Sequence, residues 1–245
     1  ARPWRTAVAL WSSLVIGAAA WGADPGLTDR DILVGQSITL QSGKNPHGVA
    51  THQGAKLYID AVNASGGVHG RSIRLRTLDD DNQTAQATAN AKQLVSESAF
   101  VLFGSIEGGP STAVMQVAHD AGVPFIGPMA GSPTLRRPHQ PMVFPVRAEH
   151  REEFRALMTW GKRIGLRTVG FFQADSATGR EHLDNIKPIA KELGLELVLP
   201  LPFKSDTSDA QLDAMVKQIE ATRPDMVFNH GSADLYARLI TKARQ

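Results

Sequence analysis

The chain has 245 residues, 42% of them apolar, with 26 Lys and Arg against 24 Asp and Glu and no cysteine. That composition fills one large core or two ordinary ones. It excludes a disordered or fibrous chain, a disulfide framework and any thiolate nucleophile or thiolate metal site. The excess positive charge comes from Arg2 and Arg5, and without them basic and acidic residues balance at 24 each, so charge gives no argument for nucleic acid.

Arg2 and Arg5 precede the uncharged run TAVALWSSLVIGAAAW, after which Ala18, Ala20 and Gly22 offer small-residue cleavage sites. This pattern reads as a cleaved secretory signal over residues 1–23. The apolar run of about sixteen residues is shorter than the roughly 20 a spanning helix needs. Export without a lipobox cysteine points to a periplasmic protein.

From Asp31 onward short apolar runs alternate with helix-length amphipathic stretches, the pattern of repeated β-α units with a parallel sheet. Strands are expected at 32–38, 71–79, 100–104, 124–127, 142–146, 168–173, 195–200 and 226–229. Helices are expected near 49–63, 84–96, 111–121, 151–164, 179–193, 209–221 and 233–243. In the first helix Ala55, Tyr58, Ile59 and Val62 fall at i, i+3, i+4 and i+7, giving an apolar face for the sheet, with Lys56 and Asp60 in water.

The segment Gly127–Glu149 carries five prolines and one short strand, and marks a crossing between lobes. The fold class expected is α/β: two doubly wound, Rossmann-like lobes, an N-terminal one at 28–147 and a C-terminal one at 148–245. The chain stops after a helix with no closing strands, so the second lobe is expected to be incomplete. Two such lobes place the carboxyl ends of both sheets at a shared cleft, where open α/β sheets bind ligands.

The glycine-rich stretch NASGGVHG (63–70) follows a helix and precedes a strand, the wrong side of the unit for a phosphate loop. Gly66 and Gly67 are expected to close the first helix and Gly70 to turn into the second strand. Asp79, Asp80 and Asp81 fail the EF-hand spacing, since Thr84 and Asn90 stand where glycine and glutamate belong. At least one of the three is expected to cap the following helix. GSIEGGPST (104–112) matches the glycines of a P-loop but has Pro110 in place of lysine. Its strand-to-helix position suits a carboxylate, held by the free N–H groups of a helix opened by Ser111. GPMAGSPT (127–134) follows the next strand and permits close backbone approach to a ligand. The eight histidines show no metal-ligand spacing, and neither a nucleophile elbow nor a dinucleotide fingerprint is present. No metal, cofactor or catalytic residue is therefore expected.

The N-x-x-G-G-V-x-G run, the strand ending in Asp-Asp, FGS…ST and VPFIGPMAGSPTL together resemble the type I periplasmic binding proteins of the Leu/Ile/Val-binding family, substrate-binding components of ABC transporters. The resemblance spans about Asp31 to Gln245. It implies a monomer of two lobes joined by hinge strands, which closes on a small amino acid, amide or carboxylic acid and delivers it to a membrane permease without reaction. It also implies a set of ligand contacts. The loop after the third strand aligns Gly108, Gly109 and Ser111 with carboxylate-binding positions; a serine usual there is replaced by Gly108, so the hydroxyl is expected from Ser111 or Ser105. The loop after the fourth strand aligns Met129, Gly131 and Ser132, with Gly131 where threonine is usual. His47 stands where an aromatic residue often covers the ligand, and Thr178 and Ser232 stand where tyrosines are usual. The acid that clamps an ammonium group would lie beyond Gln245. A ligand sensor of a signalling system on the same fold is the alternative.

Overall fold

The computed structural model describes residues 24–231 and 233–244, and the backbone alone of Ala177 and Thr178. The expected signal segment and Ser232 lie outside the described residues.

Strands and helices alternate as β1 (Asp31–Ile38), α1 (Pro46–Ala64), β2 (Ser72–Asp79), α2 (Thr84–Ser96), β3 (Val101–Phe103), α3 (Gly108–Ala121), β4 (Phe125–Ile126), β5 (Val143–Phe144), α4 (His150–Arg163), β6 (Thr168–Ala174), α5 (Ala177–Leu193), β7 (Glu196–Phe203), α6 (Asp209–Thr222), β8 (Met226–His230) and α7 (Ala233–Ala243). Each expected element is found. The largest shifts, three residues each, lie at two helix starts and at the end of β7. α1 begins at residue 46 because the Asn45 side chain accepts from the Gly48 N–H at 3.2 Å and Pro46 takes the first helical position. α3 begins at Gly108, a turn before Ser111. β5 shrinks to two residues, and a short 3-10 turn, Pro133–Leu135, interrupts the proline-rich crossing.

The strands form two sheets, ordered β2-β1-β3-β4-β5 and β7-β6-β8, with every pairing parallel. In the second sheet β6 serves two layers, because successive strand side chains point to opposite faces. Phe171 packs with Phe154, Met158 and Ile186 beneath α4 and α5, while its neighbour Phe172 packs with Leu201, Leu212 and Leu239 beneath α6 and α7. Both phenylalanines are fully buried. α6 starts on a capping box in which Ser208 and Gln211 bond reciprocally.

The first sheet is covered unequally. α2 and α3 bury Ala91, Leu94, Val114 and Met115 against Leu102 and Phe125. On the opposite face α1 packs less closely than its periodicity predicts: Ala55, Ile59 and Val62 are half-buried, and Tyr58 is 73% exposed. α1 stands off the sheet over an apolar groove of about 210 Å³ lined by Val34, Ile59, Phe103 and Ile126. Lys56 and Asp60 form an exposed pair at 2.7 Å on its outer side, as expected.

The glycine-rich stretch is a turn. After α1, the Gly67 N–H donates to the Val62 carbonyl at 3.0 Å; Gly67 has φ +72, and a side chain there would meet the Arg71 carbonyl. The expectation for the aspartates is corrected, because α2 begins after Gln83 with no side-chain cap. Asp79 instead accepts from the Leu40 N–H and the Gln41 amide, and Asp80 from the Thr39 hydroxyl at 2.7 Å and the Asn82 N–H. Asp81 accepts from Gln41 and pairs with Lys44. The cluster thus ties the loop after β1 to the loop after β2. Their hydrogen bonds run to these loops, and none reaches the start of α2. Burial pushes the Asp80 carboxyl above the usual aspartate range against the pull of its hydrogen bonds.

Candidate functional site

In the first sheet the strand order reverses between β1 and β3, and in the second at β6, so the loops after β1, β3, β6 and β8 flank the two switch points. Between them lies a cleft in two adjoining parts of about 950 and 590 Å³, which share Glu107, Gly108, His150 and His230.

The first wall is the N-terminus of α3. Gly108 and Gly109 supply its first two N–H groups, which precede any intrahelical acceptor, and both residues line the cleft. Glu107, just before them, has φ 67 and ψ 151, a backbone region costly for any residue but glycine. It is held there with its carboxylate accepting from the Asn45 amide at 3.1 Å, which links the starts of α1 and α3. The loop after β4 adds hydroxyls in a chain: Ser132 and Thr112 each bond the Thr134 hydroxyl at 2.8 Å. Arg136 fastens this loop by donating to the carbonyls of Ala130 and Ser132 at 3.1 and 2.9 Å.

The opposite wall is imidazole. His150 opens α4, His182 lies in the second turn of α5 and His230 ends β8. Their rings pack edge-on or tilted, His182 against His230 at 3.7 Å and His150 against His230 at 4.7 Å between centroids. His150 Nδ1 meets the Glu153 carboxylate at 3.1 Å, and Arg147 grips the same carboxylate at 2.8 and 3.1 Å. Burial, then the charge of His150, lowers the pKa of His182 to about 4. Burial, then its histidine neighbours and Arg147, lowers that of His230 to about 3. Both rings are therefore neutral at physiological pH.

His150 reaches this place because residue 131 is glycine. The His150 N–H donates to the Gly131 carbonyl at 3.1 Å, and a Cβ at 131 would lie 2.5 Å from His150 Nδ1. The absence of a side chain at 131 and the presence of a ring at 150 are thus one packing arrangement.

The residues singled out from sequence divide into three groups. Gly108, Gly109 and Ser132 line one part of the cleft, and His47, Met129 and Gly131 line the other. Ser105 and Ser111 do not: both are fully buried, their hydroxyls bonded to each other at 2.6 Å behind the loop. Neither hydroxyl opens onto the cleft, because α3 starts a turn earlier than expected and Thr112 stands at the cleft instead. The Thr178 side chain and Ser232 lie outside the described residues. Sequence reasoning missed Thr112, Thr134 and the three histidines. The histidines, scattered in sequence and without ligand spacing, are gathered by the fold; the available signal was that each sits at the carboxyl end of a strand or in the helix start that follows one.

Comparison with known proteins agrees with this fold. The sequence profile described as periplasmic binding protein matches residues 31–245. The Leu/Ile/Val-binding protein homolog 7 of Brucella abortus (strain 2308) is 26% identical over 229 residues, covering 88% of this chain and 55% of that protein. A substrate-binding periplasmic protein from Ralstonia solanacearum superposes with a TM-score of 0.73 at 26% identity, over 87% of this chain and 60% of its own. An ABC transporter substrate-binding protein from Desulfitobacterium hafniense, solved in complex with Leu, gives 0.74 at 18% identity, over 88% and 63%. The chain thus spans little more than half the length of these proteins, which are substrate-binding proteins rather than enzymes. On the match over residues 31–245, the chain belongs to the periplasmic binding protein family.

Proposed function

We propose that this chain forms the ligand-gripping part of a periplasmic solute-binding protein of an ABC importer, which takes up an amino acid or another small carboxylate or amide between its two sheets. The observation that carries this reading is the pair of N–H groups of Gly108 and Gly109, free of helical partners and opening onto the cleft beside the hydroxyls of Thr112, Ser132 and Thr134. A helix N-terminus with neighbouring hydroxyls suits a carboxylate or a polarised amide oxygen. The family relationship and the Leu/Ile/Val-binding names of its relatives support the same class of ligand. The imidazole wall departs from a purely apolar pocket and favours a polar ligand over a bare aliphatic one. Closure of the lobes would bury the ligand, and an ABC permease would receive it.

Calorimetry on the whole mature protein tests the reading. One saturable, equimolar heat is expected from a member of a panel of amino acids, amides, aromatic acids and short dicarboxylates. Silence across the whole panel contradicts the proposed ligand class.

A further inference from the structure

The described residues contain one group of three side chains with metal-ligand chemistry, His150, His182 and His230, whose candidate ligand atoms all lie within 4.8 Å of one another. We propose that these three imidazoles form a binding site for a divalent transition-metal ion of the zinc class, set in the wall of the cleft.

The donor set fits such an ion. Three imidazoles with one position left open is a known arrangement around zinc, and the nitrogens there sit at about 2.0–2.1 Å from the metal. Three nitrogens on a tetrahedral ion are then roughly 3.3 Å apart. The candidate ligand atoms lie within 4.8 Å of one another, so holding such an ion requires them to approach by up to about 1.5 Å.

Two further features point the same way. His182 is 3% exposed, and its Nδ1 has no hydrogen-bond partner; a buried polar atom left unpaired is costly, and a metal ion would satisfy it. In addition, Glu153 accepts from or bonds His150 Nδ1, the carboxylate-imidazole pairing that orients a metal-bound histidine and leaves Nε2 as the ligand atom. Arg147, the nearby cation, is held by the same carboxylate in a two-pronged pair, which offsets its repulsion of a metal.

Gly131 completes the arrangement, since any side chain there would displace the His150 ring. The open coordination position is available to water or to a ligand oxygen from the cleft. The inference does not depend on the solute reading, because carboxylate binding by Gly108 and Gly109 needs no metal.

The test titrates the metal-stripped whole protein with Zn(II), and with Co(II) for its visible spectrum. One equivalent is expected to bind, with a Co(II) absorption strong enough for four-coordinate geometry. His182→Gln and His230→Ala are each expected to weaken zinc at least tenfold, while His119→Ala, on α3 and outside the cluster, leaves it unchanged. In the wild-type protein, imidazole nitrogen resonances of His150, His182 and His230 should shift on zinc addition, a readout that stands even if a variant fails to fold. Lack of saturable binding by any of zinc, cobalt and nickel overturns the proposal, as does zinc binding that perturbs other histidines instead. Solute binding that persists in chelator while zinc binding is absent would remove the metal site and leave the solute reading intact.

Discussion

At the scale of single residues, the contact between positions 131 and 150 does most to shape the cleft. A Cβ at 131 would lie 2.5 Å from the His150 ring, a separation that ordinary packing never shows and that must be relieved by moving the ring or the loop. Gly131→Thr is therefore expected to destabilise the protein by about 1–3 kcal/mol, the usual cost of overpacking, and to weaken ligand binding. Replacing the ring as well, with His150→Ala, should restore most of that loss. Chemical denaturation of the two single variants and the double variant measures the coupling, and additive losses would show that the two residues do not share the space. The pair also shows where reading from sequence stops. The glycine at 131 was visible as a departure from a threonine, but its cause is a ring nineteen positions along the chain, brought in by the turn into α4.

At the scale of the element, α3 presents its first turn to the cleft, and Gly108→Pro probes that turn selectively. Proline suits the first helical position and removes its N–H; the ψ of 151 at Glu107 is one a following proline prefers, while its φ of 67 is not, so the thermal melt serves as the control for added strain in the turn. A hydrogen bond to a charged group is worth about 1.5–3 kcal/mol, so affinity for a carboxylate should fall roughly 10-fold or more with little change in melting temperature. Calorimetry and thermal melts on the same samples check both halves; unchanged affinity would remove the helix N-terminus from the site.

Elements were the most legible level of the sequence. Short apolar runs alternating with amphipathic stretches mark the strands and helices, because a parallel sheet is covered by helices and buries its strands. Ends were less legible where a cap decides them, as at Asn45-Pro46 and at Glu107, whose strained backbone leaves no compositional trace. That early start of α3 is why Ser111, placed at the ligand by alignment, is buried against Ser105. The aspartates of 79–81 read as helix caps from position alone, and in the fold they bind the neighbouring loop instead.

At the scale of the whole molecule, the two sheets meet at a wall of imidazoles that the fold assembles from three distant positions, and this has a consequence for stability. His182 and His230 have folded-state pKa values lowered to about 4 and about 3 from 6.5. In the unfolded chain they take up protons below about pH 6.5, and in the folded protein only near 3–4, so stability should fall as pH drops through that interval. Asp80 acts in the opposite sense, because its raised pKa makes the folded state lose stability as pH rises above the aspartate value of 3.8. Comparing variants separates the two: the melting-temperature profile of His182→Gln should decline less than that of the wild type between pH 6.5 and 4. Parallel profiles would mean that His182 is not held neutral by burial.

A solute gripped from both sheets at once would tie down backbone amides in both. Hydrogen–deuterium exchange of the whole protein, with and without a ligand found by calorimetry, tests it most directly. Protection is expected together in the turn at 107–112, the loop at 130–134, the start of α5 around His182 and the end of β8 at His230. Protection confined to one sheet, or appearing on the apolar groove beneath α1 instead, would contradict the account.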